Sequence, residues 1–474
     1  MKHSILFTLA IILAFAVTAP AAASKKDGKG YRITLHINGN NDSVMYLGNY
    51  YAGKTYVIDT AIRDRKGTFT FVNNDRVVSP GLYFFVNQQT DYVEFVIHNE
   101  YPDFSFETDE AHWADHMRVK GSKENDLFFR YSLQAKKIGM LIDSAHRATP
   151  QDSVFIPYRN AMTKRLDSIR EAYIAEMPNS MLALMMNASR EPNMPAANPD
   201  GTPLTDLQRW EYFMEHYFDH IDLTDEALIR TPDFVFRKRL TDYLDRYLKN
   251  APAETVCKYV DMLIDKSRPA KENFKYLVYT IADKYLQSNV MSYDAVYVHL
   301  VKRYIETGDA YWMSPTSIEE NVKRANKWDN LLIGKVAPEL IMKDTAGHYH
   351  SLHHTPGKYK LLLFWSPTCG HCKVMIPDLH KSWTKLKDKC DIATFAVFSE
   401  PDEYTHPKWI DFINQHNLDW LNLDGAECNI DWHEVYDVVT TPQIYLLDKD
   451  NKIIAKHLNA ESFENIINIL ENEK

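Results

Sequence analysis

The chain contains the sequence Tyr359-Lys-Leu-Leu-Leu-Phe-Trp365-Ser-Pro-Thr-Cys369-Gly-His-Cys372. Its first part, up to Trp365, is almost continuously apolar, which is typical of a β-strand buried on both faces of a sheet. A helical pattern of apolar residues begins at Cys369 and continues to about Leu386. A buried strand that leads directly into a helix predicts an α/β arrangement in this part of the chain.

The same alternation of strands and helices extends over residues 331–474. We predict further strands at 391–398, 420–423, 443–448 and 452–457, and further helices at 407–415 and 462–473. Lys449-Asp450-Asn451 separates the last two strands as the turn of a hairpin. These elements predict one C-terminal α/β domain.

Cys369 and Cys372 are spaced so that they can act as a pair. Cys369 falls at the predicted N-cap of the helix and Cys372 three residues later, so both sulfur atoms lie on one face of the first turn. The N–H groups of that turn and the helix dipole favour the thiolate of Cys369, and His371 adds a titratable group between the cysteines. This pattern favours a redox pair over a zinc site or a structural disulfide, because the chain has no second closely spaced cysteine pair.

A histidine cluster precedes the buried strand and invites a metal interpretation. Its members are His348, His350, His353 and His354. The preferred interpretation is a solvated turn and strand, because Asp344-Thr-Ala-Gly347 has the composition of a turn. We therefore predict no metal and no cofactor.

The segment around the cysteine pair resembles the active site of the thioredoxin superfamily. The resemblance rests on Trp365-Ser-Pro-Thr-Cys-Gly-His-Cys-Lys-Val-Met-Ile-Pro377 and on the later Thr441-Pro442-Gln-Ile-Tyr-Leu-Leu-Asp448. The lead-in Ile333-Gly-Lys-Val-Ala-Pro338 is similar to the exported TlpA/ResA-type branch. This resemblance covers residues 331–474 and implies a thioredoxin-like fold and thiol–disulfide exchange.

The resemblance also implies roles for individual residues. Cys369 is the expected attacking thiolate, and Cys372 is the expected resolving cysteine, with His371 tuning the pair. Pro442 is the expected cis-proline facing the pair, and Thr441 would offer backbone groups to a bound substrate strand. Trp365 is expected beside the site as a further substrate-binding residue, with a core aromatic as the alternative.

Two positions depart from the family pattern. Leu363 stands where many thioredoxins have a buried acid, and Met375 stands where many TlpA/ResA-type proteins have a glutamate. The usual proton acceptor for Cys372 is therefore missing. Water, His371, or an acid such as Glu434 or Asp437 is a candidate replacement.

Two other zones precede the α/β domain. Residues 31–108 alternate between apolar and polar, which predicts a small antiparallel β-sandwich or barrel, and residues 109–330 have the 3.6-residue period of a helical domain. Both zones resemble domains of unknown function found before thioredoxin-like domains in exported proteins of Gram-negative bacteria. The segments His216–Asp225 and Arg230-Thr-Pro232 carry that resemblance. The predicted fold class is thus multidomain: all-β, then all-α, then α/β thioredoxin-like.

The N-terminus has the pattern of an export signal. Lys2 and His3 precede an apolar stretch up to Val17, and Ala21-Ala-Ala23 has the small residues of a cleavage site. Residues 1–23 are therefore predicted to be a cleaved signal peptide, with an uncleaved anchor as the alternative. Cleavage would give a periplasmic protein that does not span the membrane. A net charge of −10 argues against nucleic acid as a partner.

The sequence leaves three hypotheses for function. The leading one is an exported thiol–disulfide oxidoreductase that reduces or isomerises disulfides in extracytoplasmic proteins and receives electrons from a membrane partner. A peroxidase is disfavoured, because Leu362 and Ser366 stand where peroxiredoxins have Pro and Thr before the reactive cysteine. The remaining alternative is an envelope binding protein in which the thioredoxin-like domain is accessory.

Overall fold

The computed structural model describes residues 30–75, 77–149 and 151–472. The predicted signal peptide, residues 1–23, lies outside this range. The described chain forms two compact units, the first of which contains the residues up to Glu191 together with 220–222 and 226–239. The second contains 192–219, 223–225 and the chain from Leu240 onward. The predicted limits of 31–108, 109–330 and 331–474 stay predictions.

The first unit is built on two four-stranded sheets. Its strands are β1 (Tyr31–Asn38), β2 (Val44–Tyr51), β3 (Lys54–Ile62), β4 (Thr68–Asn73), β5 (Gly81–Val86), β6 (Tyr92–Ile97), β7 (Asp103–Asp109) and β8 (Arg118–Lys120). One sheet has the order β4-β1-β7-β8 and the other β3-β2-β5-β6. Their inner faces share one core, in which the rings of Phe85 and Phe95 stack 4.5 Å apart. This confirms the predicted β-sandwich.

One strand pairing differs from the antiparallel sandwich predicted from the sequence. Strands β1 and β7 pair in parallel, with Ile33 opposite Phe104, whereas the other pairs of the two sheets are antiparallel. Strands joined by a short turn must run antiparallel, but β1 and β7 are far apart in the chain and can pair in either direction. The alternation of apolar and polar residues therefore identified the strands, but it could not show that β1 and β7 pair in parallel.

Helices complete the first unit. They are α1 (Lys123–Ala148), α2 (Asp152–Glu176) and α3 (Met181–Asn187), with a 3₁₀ turn at Leu228–Arg230. Helix α1 begins after Ser122, whose hydroxyl accepts a hydrogen bond from the backbone N–H of Asn125. The side chain of Asn125 bonds in turn to the backbone of Val96 on β6, which ties the start of the helix to the sheet.

The helical part of the chain continues into the second unit. Its helices are α4 (Asp206–His216), α5 (Phe236–Asp242), α6 (Ala253–Lys266), α7 (Lys271–Leu286), α8 (Asp294–Leu300) and α9 (Pro315–Asp329), with π-helical turns at Tyr243–Tyr247 and Val301–Ile305. Helix α5 begins in the first unit and ends in the second. Helix α9 begins with Ser314 as its N-cap and Pro315 in its first turn, an arrangement that favours a helix start. These helices confirm the predicted all-α region.

The C-terminal part of the second unit is an α/β layer. Its strands are β9 (Ile341–Asp344), β10 (Tyr349–Ser351), β11 (Tyr359–Trp365), β12 (Ile392–Phe398), β13 (Asn422–Asp424), β14 (Gln443–Asp448) and β15 (Ile453–Lys456); its helices are α10 (Gly370–Cys390), α11 (His406–His416), α12 (Trp432–Val435) and α13 (Ala460–Asn472). The sheet order is β10-β9-β13-β12-β11-β14-β15. Strand β11 is central and buried along its whole length, as predicted.

The pairing of β11 determines where the cysteine pair lies. It runs parallel to β12 and antiparallel to β14. Alternate residues of β11 enter two separate cores, one beneath α10, α11 and α13 and the other beneath α12. The carboxyl ends of parallel strands meet at one edge of a sheet, which is the usual place for a site in α/β proteins. The loop that leads to Cys369 leaves the sheet at this edge.

Candidate active site

Cys369 caps the helix that follows the central strand. Its backbone is extended (φ −70°, ψ 123°), and its Sγ accepts a hydrogen bond from the backbone N–H of Cys372 at 3.4 Å. Residue Cys372 is in the first turn of α10 and its side chain is fully buried. Both cysteines are free thiols in this structure. The two cysteines whose spacing predicts a pair therefore lie side by side at the start of the helix.

The two thiols differ strongly in acidity. Partial burial acts to raise the pKa of Cys369, but hydrogen bonding from the Thr441 side chain, from Cys372 and from the backbone N–H groups of Cys372 and His371 outweighs it and lowers the pKa. Burial, together with the hydrogen bond to Cys369, raises the pKa of Cys372 to about 12. Of the two thiols, Cys369 therefore loses its proton more readily, and it is also the more accessible sulfur.

The loop before β14 closes the site from the other side. The peptide bond between Thr441 and Pro442 is cis, as predicted from its position before a strand. The thiol of Cys369 donates a hydrogen bond to the backbone carbonyl of Thr441 over 3.2 Å. The structure thus brings together Cys369, Cys372, Thr441 and Pro442, while the substrate-binding roles of Thr441 and Pro442 stay predictions.

The other two predicted site residues have different surroundings, since Trp365 shares a buried core with Cys372 and His371 is exposed. Trp365 is fully buried, and its ring packs 5.2 Å from that of Phe412 within the core. This position favours packing, and a substrate contact by Trp365 stays a prediction. The side chain of His371 is exposed, and its backbone N–H is the group that acts on Cys369. Tuning of the pair by the imidazole ring also stays a prediction.

The acids considered as proton acceptors are engaged elsewhere. Glu434 and Asp437 both lie near the Nζ of Lys327, at 2.7 Å and 3.5 Å. The two positions where the family usually has an acid are apolar here: Leu363 is buried in the core, and Met375 packs against it. Both Glu434 and Asp437 are therefore paired with Lys327.

Glu400 is a residue at this site that sequence reasoning did not identify. Its Oε2 accepts hydrogen bonds from the hydroxyls of Ser366 and Thr368, in the loop that leads to Cys369. Ser366 is buried, its hydroxyl accepts a bond from the Thr368 N–H, and its carbonyl accepts one from the Cys369 N–H. Glu400 follows β12, whose carboxyl end lies beside that of β11 at the same edge of the sheet. A predicted parallel pairing of β11 and β12 was therefore the signal that could have identified Glu400 as a site residue.

The remaining cysteines and histidines do not join the pair. Cys257, Cys390 and Cys428 are free thiols, and burial raises the pKa of Cys257 to about 12. In the predicted histidine cluster, His350 of β10 bonds to Asp344, the last residue of β9, at 2.9 Å. Among the described residues, no group of three or more histidine, cysteine or acidic side chains is arranged to hold a metal ion.

The fold and the site together define a class of protein. A central buried strand followed by Cys-x-x-Cys at a helix N-terminus, with a cis-proline loop in contact with the first cysteine, is the arrangement expected of a thioredoxin-like domain. The acidic first thiol and the buried second thiol suit the chemistry of thiol–disulfide exchange.

Family models match three segments of the chain. Residues 333–456 match the AhpC/TSA family, residues 31–128 match a domain of unknown function (DUF4369) and residues 185–327 match another (DUF5106). The C-terminal part of the chain thus belongs to the thioredoxin-like proteins of the AhpC/TSA family. The two preceding segments bear out the resemblance to domains of unknown function.

Curated relatives and solved structures are each similar to part of the chain. The "Thiol-disulfide oxidoreductase ResA" of Bacillus thuringiensis (strain Al Hakam) is 27% identical over 139 residues, which cover 29% of this chain and 76% of that protein. A domain of a "possible thiol-disulfide isomerase" from Cytophaga hutchinsonii is 35% identical and covers 30% of this chain and 95% of its own (TM-score 0.28). A thioredoxin-like protein from Bacteroides caccae is 21% identical and covers 59% of this chain and 99% of its own (TM-score 0.49). The predicted enzyme class, thiol–disulfide oxidoreductase, is confirmed at the level of the family.

The pKa of Cys369 predicts how its alkylation depends on pH. Because the thiolate reacts and the pKa is lowered, we expect the iodoacetamide reaction of Cys369 to reach half its maximal rate below the pH of about 8.5 typical of a free cysteine. Mass spectrometry of the reduced protein, labelled between pH 5 and 10, measures this rate at each cysteine. Cys257 is the internal control and should stay largely unlabelled. A half-maximal rate for Cys369 at or above pH 8.5 would contradict the assignment.

The contacts of Glu400 predict a stability difference between two variants. Glu400→Ala removes the carboxylate that accepts hydrogen bonds from the Ser366 and Thr368 hydroxyls, and we expect the free energy of unfolding to fall by about 1 kcal/mol. Glu400→Gln keeps an amide oxygen in place and should restore most of that loss. Urea denaturation of the reduced proteins provides the comparison. Equal stability of the Ala and Gln variants would show that the hydrogen bonds to Glu400 do not hold the loop.

Proposed function

We propose that the protein is an exported thiol–disulfide oxidoreductase that uses the Cys369–Cys372 pair to reduce or isomerise disulfides in extracytoplasmic proteins. The observation that carries this proposal is the Sγ of Cys369, which caps α10, has a lowered pKa and contacts the cis-proline loop. A thiol in these surroundings is prepared to attack a disulfide in an extended segment bound beside Thr441.

The reduction proceeds in two exchange steps. The thiolate of Cys369 attacks one sulfur of the substrate disulfide, which forms a mixed disulfide and releases the other substrate sulfur as a thiolate. Cys372 then loses its proton and attacks the Sγ of Cys369, which releases the second substrate sulfur and leaves a Cys369–Cys372 disulfide. Two electrons pass from the pair to the substrate, and each released thiolate takes up a proton.

The high pKa of Cys372 makes its deprotonation the step that needs assistance. At a pKa of about 12 the free thiol is almost fully protonated near neutral pH. Since Glu434 and Asp437 are paired with Lys327, a water molecule or His371 is the acceptor that we assign to this proton. The mixed disulfide should therefore persist long enough to be trapped.

The proposed location and partners follow from the chemistry. A disulfide-reducing pair needs a source of electrons, and in an oxidising compartment a membrane protein that supplies a dithiol would return Cys369–Cys372 to the reduced form. We place the protein in the periplasm on the basis of residues 1–23. Within the described chain, the helices are too short or too polar to cross a bilayer.

The experiment that tests the proposal is a substrate trap. Full-length Cys372→Ala protein, expressed with its signal, should accumulate mixed disulfides through Cys369 that dithiothreitol releases and mass spectrometry identifies. Cys369→Ser is the matched control and should hold none. Partners retained equally by both variants and resistant to dithiothreitol would instead support an envelope binding protein with an accessory redox domain.

A further inference from the structure

Helix α9 contacts the loop that carries the cis-proline. The indole Nε1–H of Trp328 donates a hydrogen bond to Oδ2 of Asp437 at 2.7 Å, and the Nζ of Lys327 lies 3.5 Å from the other carboxylate oxygen. We call Lys327, Trp328 and Asp437 the α9 clamp. It connects residues about 110 positions apart in the chain.

The clamp is largely shielded from solvent, and neighbouring residues of α8 and α12 contact its members on α9. The side chains of Lys327 and Asp437 are only 20% and 22% exposed, so their attraction is screened less than that of a surface pair. The ring of Trp328 lies 5.1 Å from the ring of Tyr297, a buried residue of α8. Lys327 also pairs with Glu434 of α12 at 2.7 Å. Helices α8 and α9 therefore present a fixed cation and a fixed N–H donor to the loop.

Asp437 transmits this contact to the active site. It has a left-handed backbone conformation (φ 50°), and its carbonyl accepts a hydrogen bond from the N–H of Val439 at 3.0 Å. Four residues after Asp437, the carbonyl of Thr441 accepts the hydrogen bond from Cys369. At the far end of the loop, the side chain of Gln443 donates to the carbonyl of Tyr436 at 2.9 Å. A shift of Asp437 would therefore displace the groups that face the attacking sulfur.

We propose that the α9 clamp is a positioning device by which the helical region sets the place of the cis-proline loop, and with it the substrate affinity and thiol reactivity of the thioredoxin-like domain. Its effect on substrate affinity rests on the function proposed above. Lys327 is the last residue of the DUF5106 match, and Trp328 follows it. Both precede the match to the AhpC/TSA family, which begins at residue 333 and contains Asp437. This gives the helical region a task in the redox chemistry.

Full-length variants test the clamp. Trp328→Phe keeps the ring beside Tyr297 and removes the N–H donor, and Lys327→Met keeps the aliphatic stem and removes the charge. With a fluorescent peptide disulfide as substrate and dithiothreitol as reductant, we expect each to raise KM about threefold to tenfold, the effect of one or two lost hydrogen bonds, with kcat changed less than about twofold. The pH profile of Cys369 alkylation should also move to higher pH, because the side-chain hydrogen bond from Thr441, which favours the thiolate, is weakened.

Lys323→Met is the matched control. Lys323 lies on the same helix, its side chain is 67% exposed and it pairs with Glu434, so its loss changes the net charge equally and leaves the clamp intact. Its KM and alkylation profile should equal those of the wild type. Unchanged KM and alkylation in folded Trp328→Phe and Lys327→Met proteins would overturn the proposal.

A variant outside helix α9 tests the clamp even if substitutions within α9 prevent folding. Asp437→Gly removes the carboxylate at a position where the left-handed backbone suits glycine. It should reproduce the Trp328→Phe effects, and the double variant should show no further change, whereas additive effects would contradict the clamp. Alkylation of Cys369 needs no disulfide substrate. A wild type that reduces no disulfide but whose alkylation profile responds to Trp328→Phe would refute the proposed function and support the clamp.

Discussion

Cys369→Ser should lower the rate of disulfide reduction by at least about a thousandfold. A serine hydroxyl is not ionised near neutral pH and does not attack a disulfide, so both the nucleophile and the intermediate disulfide are lost. The Sγ of Cys369 also caps helix α10 and forms a hydrogen bond with the cis-proline loop. Reduction of a fluorescent peptide disulfide, with dithiothreitol as electron source, measures the loss.

Two control variants show whether this loss is specific. Cys257→Ser removes a thiol on α6 whose pKa burial raises to about 12, and it should keep nearly full activity. Cys372→Ala should stop turnover after the first exchange and leave the substrate attached to Cys369. If Cys369→Ser kept more than about a tenth of the activity, another residue would be the nucleophile and the proposed function would be refuted.

Lys456→Met should lower the free energy of unfolding of the second unit by about 3–5 kcal/mol. Lys456 lies on β15 with only 5% of its side chain exposed, and its ammonium pairs with Asp294 at the start of α8 and donates to the carbonyl of Leu331. Asp294 is itself only 14% exposed, and its Oδ1 has no hydrogen-bond partner among the described residues. Removal of the lysine leaves a buried carboxylate without its counter-ion. Urea denaturation followed by tryptophan fluorescence measures the change.

A double variant distinguishes the cost of an unpaired buried charge from the cost of lost side-chain packing. Lys456→Met with Asp294→Leu removes both charges and should recover most of the stability, because the penalty comes from the unpaired charge. Lys449→Ala is the exposed control: its side chain is 73% exposed beside Asp450, and the expected change is below about 0.5 kcal/mol. Equal losses for Lys456→Met and for the double variant would show that packing, not charge, holds this contact.

The redox pair and its fold could be predicted because the informative residues are neighbours in the chain. The run from Tyr359 to Trp365 is buried at every position, and the helix begins directly after Cys369. Strand burial and helix capping depend on residues a few positions apart, so local patterns suffice to reveal them. The cis-proline at Pro442 was instead predicted from the family resemblance, together with the position of Thr441-Pro442 before a strand and downstream of the cysteine pair.

Other parts of the fold had no such local signal. The parallel pairing of β1 with β7 depends on how the sheets assemble. Lys360 interrupts the apolar run of β11, yet it is buried, with its ammonium donating to the carbonyls of Leu352 and His353. A charged residue in a strand pattern indicates a solvent-facing position unless its partners are known, and these partners come from another segment.

The sequence alone determined the class of chemistry, since two cysteines, a helix start and a buried strand are specified by residues within one short segment. The tertiary structure decided which groups surround the pair. Glu400 reaches Ser366 across 34 residues, Asp437 reaches Trp328 across 109, and Lys456 reaches Asp294 across 162. Periodicity and capping carry no information about such distant partners, because packing of the whole chain brings them together.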